Sequence, residues 1–277
     1  MKMNSKILLL LSVVGILICG CQPNIVQRKN VICLIDYSGT IKPETLNIYA
    51  KTITEDVFGN LLQSDKMVLI PIDEGSKIKA VQLLYYDLNQ QGFDKNVSSV
   101  SQRNQEIKQR LDDYKKENKD STYNTVIEQK EKRKEFTNLT DILGAMEQVS
   151  SNMEHLEPHS TLEQFWHSIS GNSEMKSENV ILIFSDMIHE SSDLNFVHTK
   201  LDEKTIDKII ADLKSKNRIP DLKGTKVFVC GRTGKNNAMV DSIHAFWKKY
   251  FEESHADLKA YDFDSSKVIS DYLRTQN

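Results

Sequence analysis

The sequence is poor in the residues that define several classes of protein. Its 277 residues include only 4 cysteines, 5 prolines and 11 glycines. Four cysteines are too few to hold a chain of this length together, and so little glycine and proline excludes collagen-like and low-complexity chains. The 36 basic residues do not outnumber the 39 acidic ones. No nucleic-acid partner is expected, because a phosphate backbone is bound by a basic excess.

A hydrophobic run near the N-terminus predicts a signal peptide over residues 1–20. The run extends from Ile7 to Ile18 and follows Lys2 and Lys6. A membrane-spanning helix needs about 20 apolar residues, whereas a shorter run with a basic flank is typical of a secretory signal. Loss of the two lysines changes the net charge from −3 to −5.

The run ends at Ile18-Cys19-Gly20-Cys21, which resembles the lipobox of bacterial lipoproteins. The resemblance implies that Cys21 becomes the mature N-terminus and carries a lipid such as palmitate, while Cys19 leaves with the signal peptide. Residues 21–29 then form a tether to a membrane of the bacterial cell envelope, and the protein faces the periplasm or the exterior. A plain secreted protein and a poor transmembrane anchor are the alternatives.

Residues 30–277 alternate between strand-like and helix-like patterns, which predicts a single α/β domain. Continuous apolar runs, typical of strands buried on both faces, occur at 31–35, 67–72 and 180–184, and further strands are predicted at 80–86, 226–230 and 258–263. Apolar residues at helical spacing follow most of these runs, with helices predicted from Pro43 and over 138–153. This alternation predicts a doubly wound, mostly parallel sheet with helices on both faces.

Two cysteines, Cys33 and Cys230, remain in this domain. Two cysteines in a protein outside the cytoplasm suggest a disulfide. Both lie inside apolar strand runs, however, where a free cysteine behaves as a small hydrophobic residue. We expect two unpaired thiols in the core.

The segment 93–136 departs from the alternating pattern because it is strongly polar. Ile107, Leu111 and Tyr114 form a weak helical stripe, so an amphipathic helix and a mobile, solvated insertion are both consistent with the sequence. A basic cluster near its end is interrupted by glutamates, which is typical of a solvated face; its members are Lys130, Lys132, Arg133 and Lys134.

Oxygen-bearing side chains follow two of the predicted strands and precede one helix. Asp36, Ser38 and Thr40 follow the first strand, Thr140 lies at the helix start, and Asp186 follows the strand at 180–184. In an open α/β sheet, ligands bind beyond the carboxyl ends of the strands. A set of carboxylates and hydroxyls without His or Cys suits Mg²⁺ best, with Mn²⁺ or Ca²⁺ as alternatives.

These residues resemble the metal-ion-dependent adhesion site of the von Willebrand factor type A family. That family has an Asp-x-Ser-x-Ser loop, a later Thr and a final Asp, which Asp36-Tyr37-Ser38-Gly39-Thr40, Thr140 and Asp186 match in order. The resemblance implies that the hydroxyls bind a divalent cation directly and the two carboxylates bind it directly or through water. It also implies that a carboxylate of a protein partner completes the coordination, so the protein is expected to bind rather than catalyse.

The sequence departs from this family pattern at several positions. Thr40 replaces the second Ser, Asn138-Leu139 replaces glycines that commonly precede the Thr, and Met187 stands where many members have Gly. Without a metal, the same residues have ordinary roles: Asp36 would cap a turn, Thr140 would cap a helix, and Asp186 would end a strand.

Two other functions are consistent with the same residues. An apolar strand that ends in Asp36, with Thr40 four residues on, also resembles the haloacid-dehalogenase phosphohydrolases, but Ser38 stands where those enzymes have an acid–base Asp. A structural lipoprotein with a purely stabilising metal site is the second alternative. His189 and Glu190 lie near the expected site and are predicted as possible contacts to a partner.

Overall fold

The computed structural model describes residues 27–62, 65–74, 84–87, 100–156, 176–231, 238–261 and 266–274. Gln27–Glu157 and Ser177–Asn277 belong to one compact unit. The predicted signal peptide, the predicted lipidation site Cys21 and most of the predicted tether lie outside the described residues. None of the helices within the described ranges is long and apolar enough to cross a membrane.

A six-stranded sheet forms the centre of the unit, with the strand order β3-β2-β1-β4-β5-β6. Its strands are β1 Gln27–Asp36, β2 Lys66–Ile72, β3 Leu84–Asp87, β4 Lys176–Phe184, β5 Lys226–Val229 and β6 Asp257–Tyr261. The pairs β1–β2, β4–β5 and β5–β6 are parallel, and the edge strand β3 is antiparallel to β2. The predicted strand runs therefore lie side by side, and the chain order reverses between β1 and β4.

Among the described residues, six α-helices lie between these strands or after the last of them. They are α1 Pro43–Thr52, α2 Val100–Lys132, α3 Ile142–Leu156, α4 Glu203–Ser215, α5 Ala238–Glu253 and α6 Ser266–Arg274. A π-helical turn (Ile53–Val57) and a 3-10 turn (Phe58–Asn60) follow α1, and a second 3-10 turn (Lys134–Phe136) follows α2. Pro43 opens α1 as predicted, and the Asp202 side chain caps α4 by accepting a hydrogen bond from the Thr205 N–H at 3.0 Å.

Each face of the sheet has its own hydrophobic core. Along β1, Ile32 and Leu34 point to the side covered by α3, α4 and α5, whereas Val31, Cys33 and Ile35 point to the side covered by α1, α2 and α6. All five side chains are fully buried, which explains why the strand has a continuous apolar run rather than an alternating one. The predicted fold class, a doubly wound α/β domain, is confirmed.

Residues 100–132 of the polar segment form the single long helix α2, which packs on the second of these cores. Val126 is fully buried, and Leu111, Tyr114 and Ile127 are partly buried against the same cluster. The Tyr123 hydroxyl donates to Asn47 of α1 at 2.9 Å. The structure matches the first interpretation of this segment, an amphipathic helix. Residues 93–99 of the segment lie outside the described part of the chain.

Cys33 and Cys230 are both buried and unpaired, as predicted. Burial raises the pKa of each thiol well above its usual value, which keeps the two sulfurs protonated and unreactive.

Candidate functional site

The predicted site residues lie at the carboxyl ends of two neighbouring strands. Asp36 is the last residue of β1, and Asp186 follows the end of β4 at Phe184. Because β1 and β4 are adjacent at the point where the strand order reverses, the two loops that leave them open toward the same edge of the sheet. This crevice is the usual ligand-binding position in such folds.

Hydrogen bonds link the first loop to the end of β4. The Ser38 N–H donates to Asp36 Oδ1 at 2.8 Å, and the Ser185 hydroxyl donates to Asp36 Oδ2 at 2.7 Å. The Ser38 and Thr40 hydroxyls lie 2.8 Å apart, and Thr40 also hydrogen-bonds the Asp186 side chain. Asp36 and Ser38 are buried, whereas Thr40 is exposed, so the connected set extends from the interior to the surface.

The buried carboxylate of Asp36 and the half-buried carboxylate of Asp186 repel one another. Burial and the nearby charge of Asp186 together raise the pKa of Asp36 to about 7, against hydrogen bonds from Ser185 and Ser38. Burial also raises the pKa of Asp186, although bonds from the Ile188 N–H and Thr40 oppose this. The site therefore holds negative charge in a poorly solvated position, which a cation would stabilise.

The backbone after β4 has a conformation that glycine usually adopts. Met187 has a φ of 63°, and its side chain is fully buried. Its N–H donates to Ser185 Oγ at 3.0 Å, and its carbonyl accepts from the Trp247 indole N–H at 2.9 Å. Met187 thus has a left-handed backbone conformation that costs a non-glycine residue about 1–2 kcal/mol, and its burial and these two bonds offset this cost.

The loop before α3 pairs with the loop after β4. The N–H and carbonyl of Thr140 exchange hydrogen bonds with those of Glu190, both at 3.0 Å. Thr140 is 1% exposed, so the predicted site residue lies inside this junction. The ordinary cap role proposed for Thr140 is wrong, because Asp141 caps α3 by accepting from the Gly144 N–H at 2.9 Å.

The prediction that His189 contacts a partner is wrong. Its ring is fully buried, packs edge-on against Phe196 at 5.5 Å and hydrogen-bonds Ser191 at 3.1 Å. Burial lowers the pKa of His189 to about 3, so the ring is neutral and belongs to the core. Glu190 is half-buried and stays a predicted contact.

The sequence did not predict several residues that surround the site. Ser185 binds both Asp36 and Met187 N–H, and its position directly before Asp186 was the available signal. The Tyr49 phenol of α1 lies near both carboxylates, whose charges together with burial raise its pKa. Gly231 lies so close to the Ser185 backbone that a Cβ there would be 1.9 Å from the Ser185 carbonyl oxygen.

Two members of the basic cluster are not solvated, contrary to prediction. Lys130 donates to the carbonyl oxygen of Tyr37 at 2.8 Å and also to that of Ser38. Arg133 pairs with the fully buried Asp73. Both cations therefore attach the end of α2 to the loops that follow β1 and β2.

The donor chemistry fits a hard divalent cation. The set consists of two carboxylates and several hydroxyls, which are ligands for Mg²⁺, Mn²⁺ or Ca²⁺ rather than for zinc. A cluster of three or more His, Cys, Asp or Glu side chains suited to a metal ion does not occur in the described ranges. Any cation at this site would depend on the hydroxyl oxygens as well as on Asp36 and Asp186.

Comparisons with known proteins leave the family open. No family model and no curated protein matches the sequence. Proximal thread matrix protein 1 from the mussel byssus is similar to 91% of this chain at 11% identity and a TM-score of 0.40, over 48% of its own length. A variant of the PilB minor pilin from Streptococcus sanguinis is similar to 92% of this chain at 11% identity and a TM-score of 0.44, over 61% of its own length. The chain thus spans less than two thirds of either protein.

Proposed function

We propose that this protein binds a divalent cation, Mg²⁺ foremost, and through it an acidic group of a protein partner. Asp36, Ser38, Thr40, Thr140 and Asp186 would supply the ligands. The observation that carries the proposal is the pair of poorly solvated carboxylates at the ends of β1 and β4, linked through the Ser38 and Thr40 hydroxyls.

Electrostatics favours a cation at this position. Asp36 is fully buried near the charge of Asp186, and the partly buried ammonium of Lys130 supplies one opposite charge for these two carboxylates. When bound, a divalent cation supplies positive charge and a coordination position open to a partner's carboxylate. Thr40 is the exposed member of the set, so a partner would approach from its side. Exclusion of water on docking would strengthen this attraction.

The sequence features at the N-terminus support a role at a membrane surface. A lipid on Cys21 would hold the domain at the cell envelope, where a cation-dependent contact could join it to another envelope protein. The resemblance to the von Willebrand factor type A family supports the same role. We therefore propose an adhesion-type binding protein rather than a nucleic-acid-binding protein or an enzyme.

Titration of the soluble domain with MgCl₂ and MnCl₂ in a calorimeter tests this proposal. We expect a dissociation constant on the order of 0.1–1 mM for the wild type, as in other extracytoplasmic cation sites, and binding at least about tenfold weaker for Asp186→Asn. Glu74→Gln is the matched control, because Glu74 is an exposed acidic residue after the neighbouring strand β2. Absence of cation-dependent heat in the wild type would refute the proposal.

The binding of a partner's carboxylate to the cation can be measured separately. If a carboxylate completes the coordination, acetate should increase the affinity for Mn²⁺, since two ligands that favour the same state reinforce each other. A pull-down from cell-envelope extract with and without EDTA then separates adhesion from a structural role. Binding that persists in EDTA would favour the structural lipoprotein.

We expect no phosphatase activity. Ser38 stands where the phosphohydrolases have an acid–base Asp, and the fully buried carboxylate of Asp36 is not open to a phosphate ester. The measurement is hydrolysis of p-nitrophenyl phosphate in Mg²⁺. Turnover that is lost in Asp36→Asn would instead establish the phosphohydrolase alternative.

A further inference from the structure

Hydrogen bonds from several parts of the chain fix the peptide groups of the loop that follows β1. The Tyr37 N–H donates to Ile72 of β2 at 3.1 Å, and the Gly39 N–H donates to Thr137 at 2.9 Å. The Ile41 N–H donates to Ser38 within the loop at 3.2 Å. One of these external partners, Thr137, follows the 3-10 turn Lys134–Phe136, so the segment that leaves α2 supports the loop.

Lys130 supplies support from α2 itself. It follows Thr122 and Val126 at four-residue intervals, so all three lie on one helix face, and the first two are fully buried. Its ammonium donates to the Tyr37 and Ser38 carbonyl oxygens. By contrast, Lys132 is exposed and pairs with Glu128 of its own helix at 2.8 Å.

The consequence of these bonds is a fixed orientation of two consecutive peptide groups. With both carbonyl oxygens held by Lys130, the Ser38 N–H remains directed at Asp36 and the Ser38 hydroxyl remains beside Thr40. Hydrogen bonds that fix a ligand-bearing loop in this way reduce the ordering that a ligand must impose on its site. Loss of a residue that orients metal ligands typically weakens metal binding by about 10–100-fold.

We propose that Lys130 is a positioning residue, through which helix α2 holds the loop from Asp36 to Thr40 in its ligand-binding conformation. The proposal rests on the proposed function as far as the cation is concerned. The positioning itself is a property of the metal-free protein and can be measured there.

Hydrogen exchange and calorimetry on three variants test this role. In Lys130→Met, we expect amide exchange in residues 37–41 to become at least about tenfold faster without metal, and the affinity for Mn²⁺ to fall by about tenfold. Lys130→Arg keeps the charge and the hydrogen-bond donors. It should therefore keep the amide exchange and the affinity for Mn²⁺ close to those of the wild type. Lys132→Met removes an exposed lysine of the same helix and should behave as the wild type.

The outcomes separate the two proposals. If the wild type binds no Mn²⁺, the proposed function fails, while exchange in residues 37–41 still decides whether Lys130 positions the loop. Unchanged exchange in Lys130→Met overturns the positioning role, and so does faster exchange spread evenly over α2, which would indicate a purely structural lysine. Tighter Mn²⁺ binding in Lys130→Met also overturns it, because charge repulsion would then outweigh positioning.

Discussion

Replacement of Asp36 by Asn is expected to abolish detectable Mg²⁺ and Mn²⁺ binding and, without metal, to stabilise the protein at pH 8. The first effect follows from the loss of a charged ligand, since cation affinity at such sites depends strongly on ligand charge. The second follows from the buried charge that the wild type must keep in the folded state. An asparagine keeps an oxygen for the Ser38 N–H but removes that charge.

The pH dependence of stability distinguishes this effect from ordinary packing changes. Burial and Asp186 raise the pKa of Asp36 to about 7 in the folded protein, above its value in the unfolded chain. Between about pH 4 and pH 7 Asp36 then binds more protons in the folded state than in the unfolded chain, so its contribution to the free energy of unfolding falls as the pH rises. Above pH 7, the shifted pKa of Asp36 lowers the free energy of unfolding by at most about 4 kcal/mol relative to its value below pH 4.

Urea denaturation in EDTA at several pH values between 5 and about 8 measures this difference. The buried, neutral His189 makes every variant more stable as the pH rises toward 6.5, so the Asp36 effect is read from the difference between variants. We expect the stability of the wild type to fall relative to that of Asp36→Asn across the range, and the Glu74→Gln control to follow the wild type. Added Mg²⁺ should stabilise only the proteins that keep Asp36. A variant less stable than the wild type at pH 8 would show that the buried charge is already compensated within the protein.

Continuous apolar runs predicted the fold because both faces of the sheet are covered. The run at Val31–Ile35 supplies side chains to two separate cores, so no polar residue interrupts it. The ends of helices were harder to predict from the sequence. The helix predicted over 138–153, for example, begins at Ile142. Asp141 caps that helix, and a cap is decided by backbone geometry that apolar spacing does not report.

The candidate site was predictable only where it is local in sequence. Asp36 and Asp186 follow apolar runs and so were assigned to strand ends from their neighbours alone. Lys130 was not, because its partners Tyr37 and Ser38 are more than 90 residues away and its charged neighbours resemble a solvated surface. The four-residue spacing from Val126 was the signal available, since it places Lys130 on the inward face of α2.

Gly231 shows how a residue with no chemistry of its own supports the site. Gly231 directly follows Cys230, whose N–H donates to the carbonyl oxygen of Ile183 in β4 at 2.7 Å. A Cβ at this glycine would lie 1.9 Å from the Ser185 carbonyl oxygen and 2.7 Å from the Tyr49 hydroxyl.

Gly231→Ala is therefore expected to destabilise the protein by about 3 kcal/mol or more, because the clash is with backbone rather than with a mobile side chain. For a domain of this size, that corresponds to a fall in the melting temperature of roughly 6–12 °C. Displacement of Ser185 would also move the hydroxyl that binds Asp36, so cation binding should weaken in the same variant.

Two further variants separate the backbone clash from other effects. Gly59→Ala is the control, since a Cβ at Gly59 would meet only the Thr54 carbonyl oxygen at an ordinary 3.6 Å, and its melting temperature should stay close to that of the wild type. Tyr49→Phe combined with Gly231→Ala removes the hydroxyl contact but leaves the contact with Ser185, so it should not restore stability. Recovery in this double variant would mean that the phenol, and not the end of β4, requires glycine at this position.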